Sequence, residues 1–110
     1  MGNRAVIIFH NEDNTEYSPQ IYVHWAPANL PDLFKQLTLL MTDRTNDPSY
    51  AAARFTGILH NALPGNLSLG LFNLPEDFQD EAAYISTRIS HGDEGVFLIN
   101  TSNFSIRRFE

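Results

Sequence analysis

The chain has 110 residues, about the length of one domain, and its 43% hydrophobic and 12% aromatic content is typical of a globular protein rather than a disordered one. It contains no cysteine, which excludes disulfides and thiolate zinc sites. The net charge of −6, with Lys35 as its one lysine, disfavours direct nucleic-acid binding, because phosphate contacts need clustered cations.

The N-terminal apolar run is too short for a signal peptide. No stretch reaches the roughly 20 apolar residues that span a bilayer. We therefore expect a cytoplasmic protein with no membrane partner.

Two strands are predicted at the N-terminus. The β-branched apolar residues of Asn3–Phe9 indicate an interior strand. A second strand, Ile21–Trp25, alternates, with Ile21, Val23 and Trp25 on one face and Tyr22 and His24 on the other. The polar residues His10–Ser18 then form the long acidic loop of an antiparallel hairpin.

Two helices are predicted next. Asn29 can cap the first, whose apolar stripe comprises Leu30, Leu33, Phe34, Leu37, Leu40 and Met41. Asp47 is the predicted N-cap of the second, with Pro48 at its first position. Its apolar face comprises Ala51, Phe55, Ile58, Leu59 and Ala62. Gly57 in that helix predicts close packing on a neighbour, and Pro64-Gly65 ends the helix.

The C-terminal half is predicted to be extended. It begins with a strand in Asn66–Asn73, with Gly70 at a bulge, and an acidic helical turn or loop in Leu74–Ala82. A strand in Ala83–Ser90 and a turn at Gly92–Gly95 follow. The chain ends with an interior strand at Val96–Ile99 and a returning strand at Phe104–Phe109.

The resulting order is β-β-α-α-(β)-β-β-β. It predicts a single α+β domain over residues 1–110, with a mainly antiparallel sheet and both helices packed on one face.

Three motifs carry a family resemblance: GNRAVI at Gly2–Ile7, YVHW at Tyr22–Trp25 and GDEGVF at Gly92–Phe97. They resemble a family of small phage, prophage and mobile-element proteins that typically open with GNRAVI, carry a strand ending Y-aliphatic-H-W and close with G-D-x-G-V-aromatic. This chain departs from the family at Ala26-Pro27, where Asn-Gly is usual. The resemblance implies no established enzyme activity. Because members of that family are encoded by phages and mobile elements, the resemblance implies a role in host takeover or counter-defence, for example inhibition of a CRISPR effector.

Nine of the 13 acids fall into three clusters: Glu12, Asp13 and Glu16; Glu76, Asp77, Asp80 and Glu81; and Asp93 and Glu94. Such clusters can face the basic groove in which a defence complex holds nucleic acid, or they can be solvated loops. We favour the first interpretation. The predicted partner-binding residues are the first two clusters, with Phe78 as an apolar anchor, and the predicted partner is a basic host protein or nucleoprotein defence complex.

Other functions are weaker but remain open. A small metal-dependent hydrolase or nucleotide-processing enzyme would use His24 with His91 and Asp93. A homo-oligomeric module, such as a homodimer, would pair the edge strand Phe104–Phe109 with its copy. Arg4 can pair with Asp93 as an internal ion pair that fixes a turn, or it can instead bind an anion. We predict a binding protein rather than an enzyme, without metal or cofactor.

Aromatic residues near loops give a second set of predicted interface anchors. Besides Phe78, they are Tyr17, Tyr22, Tyr50 and Phe72. The alternative is that they close a small core.

Overall fold

The computed structural model describes residues 4–25, 29–74 and 95–109. They form an α+β fold whose elements are β1 (Arg4–His10), β2 (Gln20–His24), α1 (Leu30–Leu40), α2 (Pro48–Ala62), β3 (Leu69–Phe72), β4 (Gly95–Asn100) and β5 (Ile106–Phe109). The strands make one five-stranded sheet in the order β3-β2-β1-β4-β5. The α+β fold class is confirmed.

The sheet is mixed. Neighbouring strands are antiparallel in three pairs, but β1 and β4 run parallel, from Ala5 opposite Gly95 to His10 opposite Asn100. A parallel pair needs a long crossover connection, and here the chain between β1 and β4 includes both helices. The prediction of a mainly antiparallel sheet therefore missed the pairing at its centre.

Apolar residues are buried on both faces of the central strands. Ala5, Ile7 and Phe9 belong to the core shared with the helices. Val6 and Ile8 belong to a second cluster with Val96 and Leu98, against which Tyr17, Tyr22, Leu74 and Phe109 pack. Burial on both faces explains why β1 and β4 are unbroken apolar runs, and it confirms their interior positions.

Both helices form as the apolar spacing predicts, with differences at their edges. In α1, Leu30, Leu33, Phe34 and Leu37 are buried, and Met41 follows directly after the helix in the core. Leu40 is 53% exposed, so its prediction as a core residue is wrong. Leu40 lies at the edge of the apolar stripe of α1, whereas Leu37 and Met41 lie at its centre.

The start of α2 confirms its predicted cap. The Asp47 carboxylate accepts a hydrogen bond from the backbone N–H of Tyr50, and Pro48 takes the first turn. At the far end, Ala62 is exposed and Ala52 is buried instead, which corrects the predicted face. Gly57 is exposed with no atom within 4 Å of an added Cβ, so the predicted close packing there is wrong.

Two predictions about β2 and β3 are also corrected. Trp25 does not continue the buried face of Ile21 and Val23, because the backbone turns at Trp25 with φ of 64° and leaves the side chain 55% exposed. Gly70 is not at a bulge, since β3 pairs with β2 in an unbroken register in which Gly70 lies opposite Tyr22.

The predicted acidic segment after Leu74, the strand Ala83–Ser90 and the start of the Gly92–Gly95 turn lie outside the described residues. Within the described part, no helix has the length and apolar character that crossing a bilayer requires.

Candidate functional site

The predicted partner-binding residues fall into two groups. Glu76, Asp77, Phe78, Asp80 and Glu81 lie outside the described residues. Glu12, Asp13 and Glu16 lie in the connection between β1 and β2, and all three are exposed. We call this connection, residues 11–17, the acidic loop.

The acidic loop is organised around Asn11. Its side-chain carbonyl accepts hydrogen bonds from the backbone N–H groups of Thr15 and Glu16 at 2.9 and 3.1 Å, and its amide donates to the Thr15 hydroxyl at 2.9 Å. The Asn11 N–H donates to the Glu16 carbonyl. Asn14 adopts a left-handed φ of 60°, which asparagine tolerates well. The backbone of the loop therefore has a defined turn structure, which fixes the positions from which its acidic side chains project.

Asp13 is part of the same network. The Thr15 hydroxyl donates to its carboxylate at 2.8 Å and holds the pKa of Asp13 below its ordinary value. Asp13 thus stays ionised over a wider pH range than an isolated aspartate. No lysine or arginine forms an ion pair with Glu12, Asp13 or Glu16 in the described part of the chain.

The acidic loop rests on a second segment, residues 41–47. The Glu12 N–H donates to the Asn46 side-chain carbonyl at 2.7 Å, and the Asn46 N–H donates to the carbonyl of Thr101. Thr101 in turn donates both its N–H and its hydroxyl to the carbonyl of His10. Because β1 and β4 are parallel, the loops that follow them emerge at the same end of the sheet, and these bonds join them there.

The acids of the second segment are paired. Asp43 accepts from Arg54 at 2.9 Å, and this hydrogen bond lowers the pKa of Asp43. Asp47 forms an ion pair with Arg44 at 3.2 Å. The Arg44 guanidinium also lies over the ring of Tyr50, 3.8 Å from its centroid. Of the described carboxylates in these two segments, those without an ion pair therefore belong to the acidic loop.

His10 lies beneath this end of the sheet and is buried. Its Nδ1 is 2.8 Å from the Asn11 carbonyl, an acceptor, so Nδ1 carries the proton. Nε2 then accepts from the Arg107 guanidinium at 3.4 Å. Both ring nitrogens are engaged, which gives His10 a structural role in joining β1 to β5.

The histidines do not form a metal site in the described residues, where no three His, Asp or Glu side chains come together. His24 stacks on Trp25 with ring centroids 4.7 Å apart, and His60 is exposed on α2. His91 and Asp93 lie outside the described residues, as does the predicted pairing of Arg4 with Asp93.

The predicted aromatic anchors divide between core and surface. Tyr17 and Tyr22 pack against the second cluster, whereas Tyr50 and Phe72 are exposed. Tyr50 lies in the first turn of α2, directly after residues 41–47, the segment on which the acidic loop rests.

Sequence reasoning missed two surface features. The first is the exposed Trp25, where nothing in the strand pattern signals the left-handed turn. The second is a groove between α1 and β5, which depends on how far the helix sits from the sheet edge. Its apolar residues look like ordinary core positions in the sequence.

No protein-family model, no curated protein and no solved structure matches the chain.

Proposed function

We propose that this protein is a non-enzymatic inhibitor, encoded by a phage or mobile element, that acts in the host cytoplasm by binding a basic, nucleic-acid-binding defence complex. Its acidic surface occupies the positively charged groove that would otherwise hold nucleic acid. The observation that carries the proposal is the acidic loop, whose hydrogen-bonded backbone presents three unneutralised acidic side chains at one end of the sheet.

Preorganisation is what makes the acidic loop suited to binding. A flexible loop loses conformational freedom when it is captured, and that loss reduces affinity. Here the Asn11 hydrogen bonds and the link from Glu12 to Asn46 order the loop in the free protein. Acidic side chains on an ordered backbone can then meet arginine and lysine side chains without the loop itself first being ordered.

Charge supports the same partner. A net charge of −6 repels nucleic acid and attracts a surface built to bind phosphate. The exposed Tyr50, with Arg44 over its ring, follows directly on the segment that Asn46 joins to the acidic loop. Tyrosine and arginine are the residue types that most often dominate protein–protein binding energy. The cluster at Glu76, Asp77, Asp80 and Glu81, with Phe78, adds further negative charge in this proposal.

The test measures inhibition of target cleavage by a panel of purified CRISPR effector complexes, and binding to each complex at low and high salt. We expect one complex to be inhibited, with affinity that falls as salt rises, because screening weakens attraction between exposed charges. Glu12→Lys combined with Glu16→Lys should weaken binding by about tenfold or more, mainly through the association rate. Neither of these side chains makes a hydrogen bond inside the described structure, so the fold is preserved.

The control is a variant whose net charge changes by the same amount through substitutions on another surface. Gln36→Lys, Leu39→Lys, Ala53→Lys and Asn61→Lys are exposed helix positions, and together they raise the charge of −6 by the same four units as the double reversal. If both variants lose binding equally, overall charge decides and the acidic loop is not the site. If the double reversal inhibits as well as the parent protein, the electrostatic basis of the proposal is wrong. If no complex in the panel is bound or inhibited, the proposed function is wrong.

A further inference from the structure

A groove runs between α1 and the C-terminal hairpin of β4 and β5, on the helix side of the sheet. It has a volume of about 210 Å³, and its described lining residues are Pro31, Phe34, Lys35, Leu37, Thr38, Ile99, Phe104 and Ile106. We call it the α1–β5 groove. Its described lining contains no residue of the acidic loop, and it plays no part in the proposed function.

The groove is apolar and large enough for a small organic molecule. Six of its eight lining residues are apolar, and the Thr38 hydroxyl already donates to the Phe34 carbonyl at 3.0 Å. An apolar protein cavity of about 150 Å³ holds benzene. A site of about 210 Å³ therefore has room for one aromatic ring with a short chain, but not for a drug-sized ligand.

Lys35 supplies the only charged side chain among the described lining residues. It is exposed, and it takes part in no ion pair or hydrogen bond within the described residues. It is also the one lysine in a chain of net charge −6. A lone ammonium group beside an apolar groove is complementary to a ligand with an apolar body and one anionic end.

The opposite side of the groove is formed by a strained residue. Phe104 has a φ of 60°, a left-handed conformation that bulky residues rarely adopt. In this conformation its N–H donates to the Asn100 carbonyl, and its ring packs against the main core. The packing of the Phe104 ring against the core thus provides a preformed apolar side of the site.

We propose that the α1–β5 groove binds a small aryl or alkyl monocarboxylate. The apolar part lies against Phe34, Ile99 and Phe104, and the carboxylate meets the Lys35 ammonium at the mouth. A small amphiphile fits better than a peptide, because the groove ends within two helical turns of α1.

The test is an NMR titration of the full chain with phenylbutyrate and, in parallel, with phenylbutanol, its uncharged counterpart. We expect saturable shifts confined to the signals of the lining residues, with affinity in the millimolar range or tighter. The acid should bind about two- to fivefold more tightly than the alcohol, which is the contribution of one exposed ion pair.

Two α1 variants separate the charge from the groove. Lys35→Gln should remove the preference for the acid and leave binding of the alcohol unchanged. The control, Gln36→Glu, changes the net charge by the same amount at an exposed position that does not line the groove, and it should keep the preference.

Three results would overturn the proposal. They are the absence of saturation, shifts spread over the whole surface, and an acid preference that survives Lys35→Gln. Shifts at the same residues that grow with protein concentration in the absence of ligand would show that a second copy of the chain occupies the groove, which would also overturn it.

Discussion

Ser18 satisfies a backbone donor inside the sheet. The Ser18 hydroxyl oxygen accepts a hydrogen bond from the buried N–H of Phe9 at 3.0 Å. The Ser18 N–H donates to the Phe9 carbonyl at 2.8 Å. A buried donor left without a partner costs about 1–3 kcal/mol. Ser18→Ala should therefore lower the free energy of unfolding by about this amount. Urea denaturation measures it, and the exposed Ser49→Ala should be nearly neutral. Equal small effects in both variants would mean that water replaces the hydroxyl.

Gly57 and Gly65 are a matched pair with opposite expectations. Gly57 lies in an exposed turn of α2 with open space at the Cβ position, so Gly57→Ala should stabilise the protein by about 0.5–1 kcal/mol. Gly65 has a φ of 80°, so an added Cβ there is strained whatever the space, and Gly65→Ala should destabilise. Thermal melting distinguishes the two. A lower melting temperature for Gly57→Ala would contradict the open environment described here.

The N-termini of the two helices differ in a way that mutation can measure. The Asp47 carboxylate caps α2 by accepting from Tyr50, whereas Asn29 occupies the same position in α1 without a side-chain cap bond. Asp47→Ala should cost about 0.5–2 kcal/mol. Asn29→Ala should cost clearly less, and chemical denaturation compares them. Similar losses in both variants would contradict the capping difference.

The end of α1 is held to α2 by Arg54. Its guanidinium donates to the carbonyl of Leu40 at 2.6 Å and to the carboxylate of Asp43 at 2.9 Å. The hydrogen bond from Arg54 depresses the pKa of Asp43 in the folded protein. A carboxyl with a depressed pKa stabilises the fold above its unfolded pKa of about 3.9, and this stabilisation is lost as pH falls through the lower, folded pKa.

Asp43→Asn should therefore reduce the loss of thermal stability between neutral pH and about pH 2. Melting curves across this range measure the effect, which is small because the pair is exposed to solvent. Arg54→Gln provides the control, because Asp43→Asn should change nothing further in that background. If Asp43→Asn still changed the pH dependence of stability in the Arg54→Gln protein, a group other than Arg54 would be responsible for the lowered pKa of Asp43.

At the scale of elements, local sequence predicted most of the structure. The helices follow from apolar spacing and from the Asp47 cap, and the central strands follow from unbroken apolar runs. Pairing partners are not encoded locally: the parallel alignment of β1 with β4 depends on a crossover through both helices. The exposure of Trp25 follows from one left-handed dihedral angle. Gly57 is exposed because it lies on the face of α2 opposite the buried Phe55 and Leu59. The acidic loop was predicted as a cluster of charges, but its order depends on Asn46, distant in sequence.

At the scale of the whole molecule, the homo-oligomeric alternative can be weighed at β5, one edge of the described sheet. This strand has only four residues, Ile106–Phe109, and two of them are Arg107 and Arg108. Short, charged edge strands resist pairing with a second sheet. An antiparallel contact between two copies of β5 would also bring arginines of both copies together, and the net charge of −6 on each chain adds further repulsion.

We therefore expect a monomer of 12.5 kDa by light scattering at physiological salt. Raising the salt concentration screens both repulsions and provides the more demanding test, because an edge-paired dimer held back only by charge would then appear. A mass of twice the monomer value that is abolished by Ile106→Pro would establish β5 pairing and favour the self-assembling module. A constant monomer mass across salt leaves the acidic surface available to a different, basic partner, as an inhibitor of a nucleic-acid-binding complex requires.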